Sequence, residues 1–219
     1  MEIYKKVLKG KPAKVAARPP KTGVFRARKA EPTNFRVHYD RGDLPLVIHH
    51  VAMGSKLAWR VDMVELDYHH YLPIFFDGIR EKEHPYSFIA REGTVDLLKH
   101  GGEKILPVVP QLIIPIKKAL DTRDPDILCI TLLLLQELVN SHPHIGQSLV
   151  PYFRIILPVF NMFKGCNKNI GDQIYYGQRK RANLGDLIQE TLELFELLGG
   201  PTAYINIKYI VPTYESVLF

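Results

Sequence analysis

The residues of this 219-residue chain best able to bind a metal or move a proton are nine histidines and two cysteines. The histidines cluster as His49-His50, His69-His70 and His142 with His144. A histidine metal site on a helix needs ligands at i and i+4 with a third N, O or S donor nearby. Adjacent histidines point to different faces, and neither an HExxH segment nor a close cysteine pair supports these. The expectation is therefore no metal, with one of His69 and His70 turned inward and hydrogen-bonded and the other outward. Cys129 and Cys166 form neither a disulfide framework nor a zinc knuckle. Cys129 reads as a small buried hydrophobe within the most apolar helix.

Asp96 and His100 stand at i,i+4 before Gly101-Gly102. That spacing suits a local ion pair with a cation at the negative end of a helix. An acid–base dyad would use the same spacing, but no nucleophile accompanies it. Gly101-Gly102-Glu103-Lys104 lacks the spacing of a phosphate loop, and GxGxxG and GxSxG are absent. The sequence thus predicts no catalytic residue and no cofactor.

Binding chemistry is better represented. Residues 1–41 hold twelve Lys/Arg against three Asp/Glu, a surplus of nine, whereas residues 42–219 carry a net charge of −3. The cations are Lys5, Lys6, Lys9, Lys11, Lys14, Arg18, Lys21, Arg26, Arg28, Lys29, Arg36 and Arg41. Pro12, Pro19 and Pro20 oppose a helix there, and too little apolar surface is present to offset chain entropy. The arm reads as extended on its own, fitting an acidic partner or serving only as a solvated tail. A second polar stretch, 166–182, holds Tyr175, Tyr176, Arg179, Lys180 and Arg181. It is either a plain loop or a basic–aromatic clip that orders on a partner. Trp59 is equally readable as core or as an interface anchor.

The elements that must carry these residues follow from periodicity. Leu44–Val51 and Lys56–Val61 flank a turn, and Leu57, Trp59, Val61 and Met63 alternate onto one face, predicting a hairpin over 44–61. Helices are predicted over 68–80, 86–100, 102–120, 125–140, 145–165, 184–198 and 202–216. Asp124-Pro125 and Asn183 read as helix starts, and Gly101-Gly102 and Gly199-Gly200 as left-handed stops. The segment 125–140 is apolar nearly all round and should be the central helix. Proline-led helices at Pro73, Pro110, Pro151 and Pro212 hint at a repeat near the HEAT/armadillo period. The expected fold is all-α: an armadillo/HEAT-like solenoid over 42–219, with the hairpin, the flexible loop 166–182 and the basic arm 1–41. The longest apolar run, Ile127–Leu135, is too short to span a bilayer, and no signal-peptide core is present. A soluble, intracellular protein is expected.

At this point the motifs carry a resemblance. Leu66-Asp67-Tyr68-His69-His70-Tyr71-Leu72-Pro73, His100-Gly101-Gly102 with Lys104-Ile105-Leu106-Pro107-Val108, and Pro110-Gln111-Leu112-Ile113-Ile114-Pro115 occur in that order. Gly185–Glu193, Ile205–Tyr209 and Pro212–Ser216 follow. Across about residues 23–217 the chain resembles the parkin co-regulated protein family of ciliary and flagellar axonemes. The resemblance implies a non-enzymatic helical-repeat protein at the inner junction of doublet microtubules, in the cytoplasmic cytoskeleton, helping join the B-tubule to the A-tubule. It implies contact with α/β-tubulin, a small β-rich flagellar partner and other microtubule inner proteins. It also places partner docking around Lys56, Trp59, Met63 and His100. Tubulin is acidic, so the arm would be its contact, salt-sensitive and reinforced along the polymer.

Rival readings are a nucleic-acid-binding or adaptor helical-repeat protein using the same arm. A net acidic body lacks the recurring basic stripe of a nucleic-acid reader, and the arm's prolines oppose an amphipathic membrane helix. Neither nucleic acid nor membrane is the expected partner.

Overall fold

Capping and proline chemistry set most of the element boundaries. The computed structural model describes residues 23–51, 54–166 and 183–218. Asp124 caps α5 (Pro125–Asn140) by accepting from Asp126 N, with Pro125 at the first helical position. α8 (Leu184–Leu198) starts after Asn183, whose Nδ2 donates to Asp186 at 2.6 Å. In both glycine pairs the second residue has a positive φ, Gly102 at 49° and Gly200 at 77°, but Gly102, with ψ −126°, lies outside the left-handed helical region expected of a stop. They follow α3 (Tyr86–Gly101) and α8.

Prolines shift the ends of three expected helices. Pro107 and Pro110 cannot donate to a helical ladder. The stretch predicted as one helix from 102 opens instead with short 3-10 turns at Gly102–Lys104 and Leu106–Val108, and α4 runs Val109–Asp121. Pro151 likewise splits 145–165 into α6 (Ile145–Leu149), a 3-10 turn and α7 (Phe153–Phe163). α9 is Ala203–Ile210, because Val211 leaves the helical region before Pro212. α2 (Tyr68–Asp77) continues into a 3-10 turn at Gly78–Arg80.

The hairpin pairs β1 (Leu46–Val51) with β2 (Gly54–Trp59), Leu46 opposite Trp59 and Ile48 opposite Leu57. A two-stranded sheet is marginal alone; here Leu46 is buried, and Ile48, Leu57 and Trp59 pack on the core.

The helices form two rows. α2, α4, α7 and α9 pack one against the next, as do α3, α5 and α8, and α2–α3, α4–α5 and α7–α8 contacts join the rows. α5 touches α3, α4, α6 and α8, so it is the central helix that its apolar circumference predicted. The described chain is mostly helical, with one small antiparallel hairpin.

One further element was not expected. Residues 34–41 of the predicted arm form α1 (Asn34–Arg41), with Thr33 as N-cap and Gly42, at φ 75°, as its left-handed stop. Phe35 is fully buried against Phe75. The arm therefore cannot be extended as far as residue 41. Residues 1–22 lie outside the described residues, and so does 167–182.

Candidate functional site

The four residues expected to dock a partner are positioned by the α3–hairpin contact. Gly93 lets α2 and α3 approach: a Cβ there would lie 2.3 Å from Phe75 Cε1. Phe75 then meets the Trp59 ring at 5.6 Å. Trp59 Nε1 donates to Asp96 Oδ2 at 3.1 Å, and His100 Nδ1 lies 2.9 Å from the Asp96 carbonyl oxygen. The expected Asp96–His100 ion pair is therefore replaced. The carboxylate is turned to the indole, and the histidine bonds to backbone. Lys104 Nζ donates to the Val64 carbonyl and pins the 60–66 turn to the end of α3.

Trp59 is half-buried: its ring packs on Phe75 while part of it faces solvent. Met63 is also half-buried against the core, and His100 is exposed. Lys56 is exposed and pairs across the hairpin with His49. Successive strand residues point to opposite faces, so Lys56, three positions from Trp59, projects from the other face of β2. Trp59, Asp96 and His100 are brought together; Lys56 is not.

His69 and His70 are both exposed, contrary to the inward–outward expectation; Tyr68 and Leu72 take the buried positions of that turn. His69 Nδ1 faces Gln111 Nε2 at 3.3 Å, and the His70 ring packs edge-on against His38 and Tyr71. Cys129 is half-buried rather than fully enclosed. Among the described residues no three His, Cys, Asp or Glu side chains stand close enough to hold a metal.

Of the arm's cations, Arg26, Arg28, Lys29, Arg36 and Arg41 are described; Arg36 is half-buried in α1, and the other four are exposed. The backbone around Arg26 and Arg28 is tied to the body. Arg28 N donates to Thr122 O at 2.7 Å, Arg123 Nη1 donates to Val24 O at 2.8 Å, and Phe25 meets Phe163 edge-on at 5.5 Å. This strap and α4 form a groove lined by Arg28, Lys29, Ile114, Lys117 and Lys118. Lys5, Lys6, Lys9, Lys11, Lys14, Arg18 and Lys21 fall outside the described residues. The clip residues Tyr175, Tyr176, Arg179, Lys180 and Arg181 do too.

Two buried polar clusters went unforeseen in the sequence. At the end of α2, Asp77 accepts from Asn34 N at 2.8 Å and from Arg80, which also donates to Glu31 O at 3.1 Å. Thr33 and Arg36 bond to Glu81 beside it, at 2.5 and 2.6 Å. In α8, buried Glu196 accepts from Tyr214 OH at 2.6 Å, Ser216 Oγ at 2.5 Å and Val217 N at 3.1 Å. Burial pushes the Glu196 carboxyl up, but these three donors outweigh it and leave it below the ordinary glutamate value. Burial, then the hydrogen bond to Glu196, pushes the Tyr214 phenol far up. A charged residue within a helix flanked by apolar positions was the sole available signal, and apart from the Asp77–Arg80 pair, three positions apart, the partners lie 18–49 positions away.

Comparison with known proteins places this geometry in context. The profile of a family described as Parkin co-regulated protein matches residues 33–216. A mouse protein named Parkin coregulated gene protein homolog is 58% identical over 200 residues, covering 91% of this chain and 83% of the mouse protein.

Proposed function

The chain belongs to the Parkin co-regulated protein family, and on that premise we propose that it is a non-enzymatic structural protein of cilia and flagella. It binds tubulin and helps join the B-tubule to the A-tubule at the inner junction of axonemal doublet microtubules. Its place is the cytoskeleton of the axoneme. Its partners are α/β-tubulin, a small β-rich inner-junction protein and other microtubule inner proteins.

The observation that carries this reading is the family match across nearly the whole described chain. The two-row helix packing adds to it. Pro73, Pro115 and Pro158 lie inside α2, α4 and α7 of a single row. Their spacings, 42 and 43 residues, fall within the helical-repeat period. Stacked helix pairs of this kind present surface for binding. The half-buried Trp59, held by Asp96 beside His100, is the proposed docking point for the β-rich partner. A basic arm rooted at Arg26, Arg28 and Lys29 is the proposed tubulin contact.

The test is co-sedimentation of the full chain with stabilised microtubules across a salt series. A second chain has Lys5, Lys6, Lys9, Lys11, Lys14, Arg18 and Lys21 changed to Gln, which leaves every described residue intact. Deletion to residue 41 is the wrong comparison, since it removes buried Phe35. The expected result is pelleting that fades with salt and is several-fold weaker for the Gln chain. No pelleting at low salt refutes the tubulin reading; equal pelleting of both chains refutes the arm's role.

A further inference from the structure

Two helices of one row and three of the other differ in charge more completely than composition requires. α5 and α8 contain no Lys or Arg, and they expose Asp126, Glu137, Asp186 and Glu190. α7 and α9 contain no Asp or Glu, and α4 has one, Asp121, half-buried at its last position. Surface helices ordinarily interleave both signs, because i,i+4 pairs support the helix and mixed charge keeps it soluble. Here the signs are sorted between α5–α8 and α4–α7–α9, whereas α3, in the row of α5 and α8, exposes Arg91 and Lys99.

The acid-poor row also shows apolar surface. Ile114 on α4 is 64% exposed, and Ile205 and Tyr209 on α9 are 69% and 81% exposed. The last helix of a stack normally turns a polar face outward; α9 instead shows Ile205 and Tyr209 one turn apart. The same helices carry Lys117 and Lys118 on α4, beside Ile114, and Arg154 on α7, all exposed and without an ion pair among the described residues.

We propose that the outward face of the α4–α7–α9 row docks on an acidic protein surface, namely the microtubule lattice. This rests on the tubulin reading above and adds to it a folded contact distinct from the arm. Exposed apolar anchors, including a Tyr, on a row that also exposes cations match the anatomy of a protein interface. Three cations set among isoleucines are too sparse to track a phosphate backbone. The face is also continuous with the root of the arm, since Ile114, Lys117 and Lys118 line the same groove as Arg28 and Lys29. An acidic partner seated on the row meets the arm where it leaves the body. The carboxylates of α5 and α8 turn the opposite side away from the same partner.

The experiment compares the full chain with K117E/K118E/R154E, with I205A/Y209A, and with E137K/E190K on the opposite row. All seven positions are exposed, so circular dichroism and melting should be unchanged. In microtubule co-sedimentation the triple variant is expected to bind about tenfold more weakly. The apolar double should lose severalfold, and the opposite-row variant should bind at least as well as the unaltered chain. Wild-type pelleting with an unaffected triple variant overturns the face and leaves the tubulin reading standing. If the unaltered chain does not pellet, the tubulin reading fails, and fluorescence anisotropy with polyglutamate decides the face. Loss of polyglutamate binding in the triple variant, beyond that in the opposite-row variant, keeps an acid-binding row with another protein partner. An unaffected triple variant there overturns it too.

Discussion

The segment before α2 and the segment after α9 are held by one device with two different electrical finishes. Each lays a short stretch of chain over a helix whose buried carboxylate collects its hydrogen bonds. For α1 the collector is Asp77, and Arg80 lies buried beside it as a counter-charge. For residues 211–218 it is Glu196, and its three donors are the neutral Tyr214, Ser216 and Val217 N. Cations do approach the second segment, but they bind its carbonyls: Lys208 Nζ at Tyr214 O and Lys164 Nζ at Thr213 O, 2.7 and 2.8 Å away. An ion pair is fragile to the loss of one partner, which strands a buried charge. A carboxylate held by neutral donors loses less with each donor, but it depends on its own ionisation.

The sharpest way to break this comparison is Arg80→Ala. It leaves the buried Asp77 side chain without its counter-charge and with Asn34 N as its remaining donor, and the expected loss is about 3–5 kcal/mol. A shift in urea midpoint with unchanged slope checks it. Replacing both partners, Asp77→Leu with Arg80→Met, should recover much of that loss. A double variant no better than Arg80→Ala would mean that Arg80 acts through packing and its bond to Glu31 O, not as a counter-charge.

Tyr214→Phe is the matched change on the other side. The ring stays buried and one donor to Glu196 is removed, with Ser216 Oγ and Val217 N remaining. The expected cost is about 1–3 kcal/mol, clearly below that of Arg80→Ala. Equal costs for the two variants would erase the distinction between the finishes.

This asymmetry explains what could be read in the sequence. α5 and α8 carry their starts and stops within themselves, so their bounds were legible from Asp124-Pro125, Asn183 and Gly199-Gly200. α1 also had a local start and stop in Thr33 and Gly42. Among its own residues only Phe35 is buried, and its polar partners Asp77 and Glu81 lie more than forty positions away. Its surrounding surplus of cations therefore dominated the local signal. At the proposed docking point, alternation along β2 identified the inward face of Leu57 and Trp59. The same alternation sends Lys56 to the opposite face. The bond from Trp59 to Asp96 spans 37 positions and follows from packing that no local pattern contains. The absence of cations from α5 and α8 and of acids from α7 and α9 was present in the helix sequences, but it becomes a pattern only once α4, α7 and α9 are known to be neighbours.

The smallest expected effect is the most specific to the Glu196 side. Its folded-state pKa lies below the ordinary 4.5, since the donors from Ser216, Tyr214 and Val217 outweigh burial. A depressed carboxylate contributes stability that is complete above the unfolded value and is lost as pH falls through the folded one. Protonation of Glu196 therefore loosens residues 214–217 only in acid, below about pH 4.5. Glu196→Gln keeps the shape but cannot titrate. It should be less stable near pH 7 and should lose less of its remaining stability between pH 5 and pH 3. The check is urea unfolding at a series of pH values, with amide exchange at Val217 as the local readout. Parallel acid slopes in the two chains would show that other carboxylates carry the loss. A shallower slope in the Gln variant, with Val217 already exchanging faster at neutral pH, would place that share of the acid sensitivity on Glu196.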